Sequence, residues 1–168
     1  MARLREVDQG RIIELRASTL VGRSFRCDVK LEPGEVSGQH AQLRFLGGRW
    51  TLRDLGSRNG SFVDGQRLGP DEAASLSVGM TLAFGHVRNA WRVEDLGPPP
   101  IEAVPVDGGR AIPAIGGVLL IEFDGNSLSV RRDRSGWVAE PDSPLARPVS
   151  DQDQVEVGGR RFVLHLPG

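Results

Sequence analysis

Short runs of alternating apolar and polar residues, each closed by a turn signal, recur along most of the chain and leave little room for helices. Up to Asp95 they are Arg11–Arg16, Ser18–Gly22, Asp28–Leu31, Ala41–Phe45, Trp50–Asp54, Ser61–Val63, Met80–Phe84 and Ala90–Glu94. Alternation with period 2 sends successive side chains to opposite faces, which is the signature of a strand. The gaps between runs carry Gly, Pro, Asp and Asn, the residues that turns require. Gly47-Gly48 and Asp64-Gly65 each sit between two runs, where a tight hairpin needs positive φ. No segment sustains a 3.6-residue apolar stripe over three turns. The expectation is an all-β chain built as a sandwich or barrel.

Beyond Asp95 the composition changes. Gly97–Pro100, Gly108–Arg110 and Ile112–Gly117 mix proline stiffness with glycine flexibility, which predicts a linker over residues 97–117. Strand patterns resume at Val118–Phe123, Ser127–Val130, Gly136–Glu140, Gln154–Gly158 and Arg160–Leu166. The reading is therefore a domain over residues 1–96, the linker, and a small β-rich unit over residues 118–168 whose role the sequence leaves open. That last unit faintly echoes the first. Trp50 and Trp137 each follow a glycine-containing turn and open a run, and MTLAFG then AWRVE is paralleled by QVEVGG then FVLHL. Generic β alternation accounts for this echo equally well.

Charge and composition exclude several function classes. With 21 basic and 22 acidic residues the net charge is -1, so no global positive field draws nucleic acid. No apolar run approaches the ~20 residues of a membrane span. The first fifteen residues alternate charge and apolarity too closely for a signal peptide, so a soluble, cytoplasmic protein is expected. Cys27 is the one cysteine, which rules out an intrachain disulfide and fits a small buried apolar residue. Lys30 is the one lysine. The remaining side-chain cations are arginines, whose planar fork binds phosphate bidentately where lysine cannot.

Three motifs stand out: GRSFRCDV at Gly22–Val29, VSGQHA at Val36–Ala41 and DLGSRNGSFVDG at Asp54–Gly65. Each alone is common. Together, in this order and spacing, they resemble the forkhead-associated (FHA) family over roughly Leu15 to Asp95. That family's pattern is Gly-Arg at a strand end, Asp before an aliphatic residue, Ser-x-x-His, then Ser/Thr-x-Asn-Gly. The resemblance implies an FHA-type β-sandwich, of the SMAD/FHA-like kind, with a C-terminal β-rich extension. It also implies a protein-binding module that docks phosphothreonine without doing chemistry on it. On that basis Arg23 supplies a guanidinium and Ser37 donates its hydroxyl to a phosphate oxygen. Ser57 and the backbone of Arg58 add donors, and Asn59 holds the main chain of the peptide. Gly22, Asp28, His40 and Gly60 complete the motif in architectural roles, His40 by bracing the loop that carries Ser37. One departure is Gly38, where many members carry Arg or Lys; the Arg58 side chain, or Arg26, is a candidate replacement.

Ser37, His40 and Asp54 together suggest a hydrolase triad, but no G-x-S-x-G elbow accompanies them. Lys30 lacks the glycines of a phosphate-binding P-loop, and the three histidines are too scattered for a zinc site. The expected function is phosphothreonine-dependent binding downstream of Ser/Thr kinases, the partner being such a kinase or its substrate. No enzyme activity, cofactor, metal, nucleic acid or membrane is expected. Two alternatives remain: a phosphorylation-independent assembly scaffold, and the N-terminal part of an FHA-containing transcriptional regulator, since the closing HLPG could lead into another domain.

Overall fold

A computed structural model describes residues 1–70, 72–141 and 146–166. The described residues form strands and turns without an α-helix, and the chain divides into two compact units, Met1–Pro99 and Pro100–Gly168. Pro167 and Gly168, the end of HLPG, lie outside the described residues.

The first unit contains β1 (Arg3–Glu6), β2 (Ile12–Glu14), β3 (Ser18–Gly22), β4 (Val29–Lys30), β5 (Ala41–Leu46), β6 (Arg49–Asp54), β7 (Ser61–Val63), β8 (Gln66–Arg67), β9 (Ala73–Ser75), β10 (Thr81–Phe84) and β11 (Ala90–Asp95). One sheet runs β2-β1-β11-β10-β7-β8 and the other β4-β3-β5-β6-β9. Neighbours are antiparallel except β3 and β4, which are parallel. Alternation in the sequence decides which side chains turn inward. In β5, Ala41, Leu43 and Phe45 are buried, and in β6, Trp50 and Leu52 are. They share one core with Leu4, Leu82, Phe84, Trp91 and Val93 of the other sheet. Full burial of such a side chain is worth about 1.5–3 kcal/mol.

Both expected hairpin tips are tight turns. Gly47 and Gly48 have φ of 55° and 77°, and Asp64 and Gly65 have 49° and 80°. The long connections gather at one end of the sandwich. Val21 pairs with Ala41 and Ala41 with Asp54, while Ser61 pairs with Phe84. The segments 23–40 and 55–60 therefore leave the sheets side by side.

The second unit contains β12 (Glu102–Pro105), β13 (Ile112–Pro113), β14 (Leu119–Phe123), β15 (Asn126–Asp133), β16 (Gly136–Pro141), β17 (Arg147–Val149), β18 (Gln154–Val157) and β19 (Arg160–His165). Its sheets run β13-β12-β19-β18 and β14-β15-β16-β17 around a separate core that includes Leu119, Ile121, Val130, Phe162 and Leu164. The linker expected over residues 97–117 is corrected here. Residues 102–105 and 112–113 are strands, and β12 lies between β13 and β19. Proline is tolerated because Pro105 and Pro113 each close a strand, where a missing N–H costs least.

Candidate functional site

The cleft at the loop end of the first unit is built by hydrogen bonds that run between its two connecting segments. Leaving β3, the backbone N–H groups of Arg23 and Ser24 donate to the carbonyls of Ser37 and Gly38, each at 2.9 Å. This fastens the strand end to the loop ahead of β5. The same strand is held from its other side by Asp28, whose Oδ2 accepts the Leu20 N–H at 2.7 Å. Gly22 sits where nothing larger fits: a Cβ there would lie 2.3 Å from the Gly38 carbonyl oxygen.

His40 is fully buried and joins the two loops. Its Nδ1 accepts the Ser37 N–H at 2.9 Å, so the ring proton is on Nε2, which donates to the Gly60 carbonyl at 3.0 Å. Both nitrogens are therefore engaged with backbone, and neither serves the Ser37 hydroxyl as a base. Burial pushes the His40 pKa down, against the opposing influence of the Gly60 carbonyl and Asp54.

Asp54 organises the turn that follows β6. It accepts hydrogen bonds from the Ser57 N–H at 2.8 Å and from the Ser57 and Ser61 hydroxyls at 2.6 Å each. Burial alone would raise its pKa, but these donors hold the carboxyl below its ordinary value. The Ser57 oxygen in turn accepts the Gly60 N–H at 2.9 Å. Gly60 takes φ of 90°, and a Cβ on it would meet the Arg67 side chain.

These contacts revise two expected roles. The hydroxyl proton of Ser57 is committed to Asp54, so Ser57 shapes the turn and is not poised to donate to a ligand. The Arg58 N–H is likewise spent, on the Ser37 Oγ at 3.0 Å. That bond leaves the Ser37 hydroxyl proton uncommitted among the described residues. Asn59 donates through Nδ2 to the Glu35 carbonyl at 2.8 Å, which leaves its Oδ1 to accept. Arg23, Ser37, Arg58 and Asn59 line one cleft of about 170 Å3 together with Gly34, Glu35, Val36 and Gly38. Arg26 does not line it; its guanidinium lies 5.6 Å from the centre of the Phe25 ring.

Sequence reading had no role for Glu35, and it weighed Asp54 only as part of a triad. The signal for Asp54 was present in its spacing, since an Asp side chain can accept a backbone N–H three residues on, as it does at an N-cap. Glu35 carries no such local signal, because its contact with Asn59 crosses between loops.

A pH effect follows from the two shifted groups. The unfolded chain protonates His40 near 6.5 and Asp54 near 3.8, and the folded chain protonates each only at lower pH. The stability they confer is complete above 6.5 and falls as pH drops below it, with a further loss below 3.8. Urea unfolding at pH 7.5 and pH 5, followed through amide exchange in β3 and β5, should give the lower midpoint at pH 5. Equal midpoints would contradict the buried neutral histidine.

A family model described as FHA domain matches residues 19–85. The first unit is an FHA domain. The glycogen accumulation regulator GarA of Mycolicibacterium smegmatis is 34% identical over 71 residues, a match spanning 42% of this chain and 43% of that protein. Among solved structures, an FHA domain from work on phosphothreonine-dependent FHA interactions is 26% identical, with a TM-score of 0.51 over 57% of this chain and 97% of that one. EmbR of Mycobacterium tuberculosis in complex with a low-affinity phosphopeptide is 28% identical, with a TM-score of 0.51 over 55% of this chain and 24% of that one. FHA domains are protein-interaction modules. Among the described residues no helix is long and apolar enough to cross a membrane.

Proposed function

We propose that this protein is a phosphothreonine-dependent binding module in the cytoplasm, acting downstream of a Ser/Thr kinase and engaging that kinase or its substrate. The observation that carries the reading is the convergence of Arg23, the uncommitted Ser37 hydroxyl, Arg58 and Asn59 on one cleft. A phosphate with about 1.5 to 2 negative charges needs cations and O–H donors, which Arg23, Arg58 and Ser37 supply. The Asn59 Oδ1 is left for a peptide N–H, which would fix the peptide main chain without reading its sequence.

Arg23→Ala should weaken binding by about 1.5–3 kcal/mol, the value of a charged hydrogen bond, or roughly tenfold to 150-fold in Kd. Fluorescence anisotropy with a degenerate phosphothreonine library, against phosphoserine and unphosphorylated libraries, measures this directly. Equal binding of phosphorylated and unphosphorylated peptides would remove the reading.

One feature favours a phosphorylation-independent assembly role instead. Glu35 lines the cleft and Gly38 places no cation beside Ser37, so the cleft sets two arginines against one acidic residue. A folded protein that binds none of the three libraries would select this second reading.

A further inference from the structure

The second unit repeats the strand order of the FHA domain. In the first unit β2-β1-β11-β10 form a continuous part of one sheet and β3-β5-β6-β9 of the other. In the second unit β13-β12-β19-β18 and β14-β15-β16-β17 take the same places in the same chain order, every neighbour again antiparallel. Among the described residues only β4, β7 and β8 have no counterpart.

The register agrees as well as the order. Trp50 occupies the second rung from the β5–β6 turn, opposite Phe45, and Trp137 the second rung from the β15–β16 turn, opposite Arg132. Two rungs further on, Leu43 faces Leu52 and Val130 faces Ala139, all four buried. In the other sheet Leu4 pairs with Val93 and Ala103 with Leu164, again all buried. Three residues past Leu82 is Gly85, where a Cβ would lie 2.5 Å from the Glu35 carbonyl oxygen. Three past Val155 is Gly158, where it would lie 2.3 Å from the Phe123 carbonyl oxygen. A generic pair of sheets has no reason to match in order, hairpin rung and glycine contact together.

The segments that carry the cleft are the ones missing. Residues 23–40 separate β3 from β5, whereas Asp124-Gly125, with φ of 50° and 72°, joins β14 to β15 directly. Residues 55–72 separate β6 from β9, whereas residues 142–146 separate β16 from β17. At the strand-end position of Arg23 stands Phe123. The arginine beside it, Arg160, is already matched: its Nε and second terminal nitrogen both reach Asp107, at 3.0–3.2 Å.

We infer that the second unit is a second FHA-type sandwich that lacks the phosphate-reading loops, so that the chain carries one unit that reads phosphate and one that does not. The single-site consequence rests on the function proposed above; the repeated fold does not. The test is a titration of the isotope-labelled full chain with O-phospho-L-threonine, followed by NMR. Amide shifts should fit one site, fall within residues 22–61, and disappear in Arg23→Ala. A second set of shifts in residues 118–166 that survives Arg23→Ala would overturn the inference. If no amide moves in either unit, the binding function proposed for the first unit fails, and the repeat is then decided by cross-strand NOEs. Contacts linking β12 to β19 and joining β14, β15, β16 and β17 in that order would uphold it, and any other order would overturn it.

Discussion

His40→Ala is expected to destabilise the first unit by about 3–5 kcal/mol and to abolish ligand binding. Three costs combine. A fully buried ring is lost, together with its edge-on contact to Phe84 at 5.9 Å, and a cavity remains. The part-buried Ser37 N–H and the buried Gly60 carbonyl also lose their partner, and a stranded buried group costs about 1–3 kcal/mol. Losses this large identify a small set of mechanisms, and stranded polar groups are among them. For a unit of this size each kcal/mol is worth about 4–8 °C of melting temperature. His40→Asn separates the contributions, because the Asn Oδ1 can stand in for Nδ1 toward Ser37 but nothing replaces the Gly60 bond. Amide exchange in β3 and β5 reports the first unit independently of the second. The expected order is wild type, Asn, Ala. If the Ala variant exchanged like wild type, the two loops would be held by something other than this ring.

The alternation that predicts β5 and β6 also sets their inward faces, because each strand is long enough for period 2 to be read and ends at a glycine turn. Four of the strands that escaped notice lack that signal for physical reasons. β8 is two exposed polar residues, and β9 is Ala-Ala-Ser, which has little β preference of its own and is held as a strand by pairing with β6. β12 and β13 lie in a Pro- and Gly-rich stretch whose composition argues against strands. Tertiary pairing with β19 overrides it. The echo of the first unit in the second was visible at Trp137 and in QVEVGG, but local alternation cannot separate a repeat from any other sheet. Strand order can.

The cleft was legible as a set of residues and less so as a division of labour. Arg23, Ser37, Arg58 and Asn59 line one cleft. Ser57 does not join them as a free donor, because a hydroxyl has one proton and the Asp54 carboxylate, 2.6 Å away, takes it. Sequence spacing places a serine in a loop. It does not say which acceptor takes its proton.

Gly22→Ala should be the more informative of the two large perturbations, since it adds a single methyl and removes no hydrogen-bonding group. Its Cβ would sit 2.3 Å from the Gly38 carbonyl oxygen, 2.9 Å from the Cys27 sulfur and 3.0 Å from the Gly38 carbonyl carbon. Contacts under 3 Å force something to move, and backbone cannot yield as a side-chain tip does. The same carbonyl accepts the Ser24 N–H at 2.9 Å and the Cys27 thiol at 3.1 Å, so displacing it breaks both. Overpacking of this kind costs about 1–3 kcal/mol. The displaced loop carries Ser37, so ligand binding should weaken by at least about tenfold, the equivalent of ~1.4 kcal/mol. Cys27→Ala is the control. It removes the sulfur while leaving the carbonyl in place, so the double variant Gly22→Ala, Cys27→Ala should remain as unstable as Gly22→Ala. Recovery in the double variant would mean that the sulfur, and not the backbone of the Ser37 loop, is what excludes a side chain at this position.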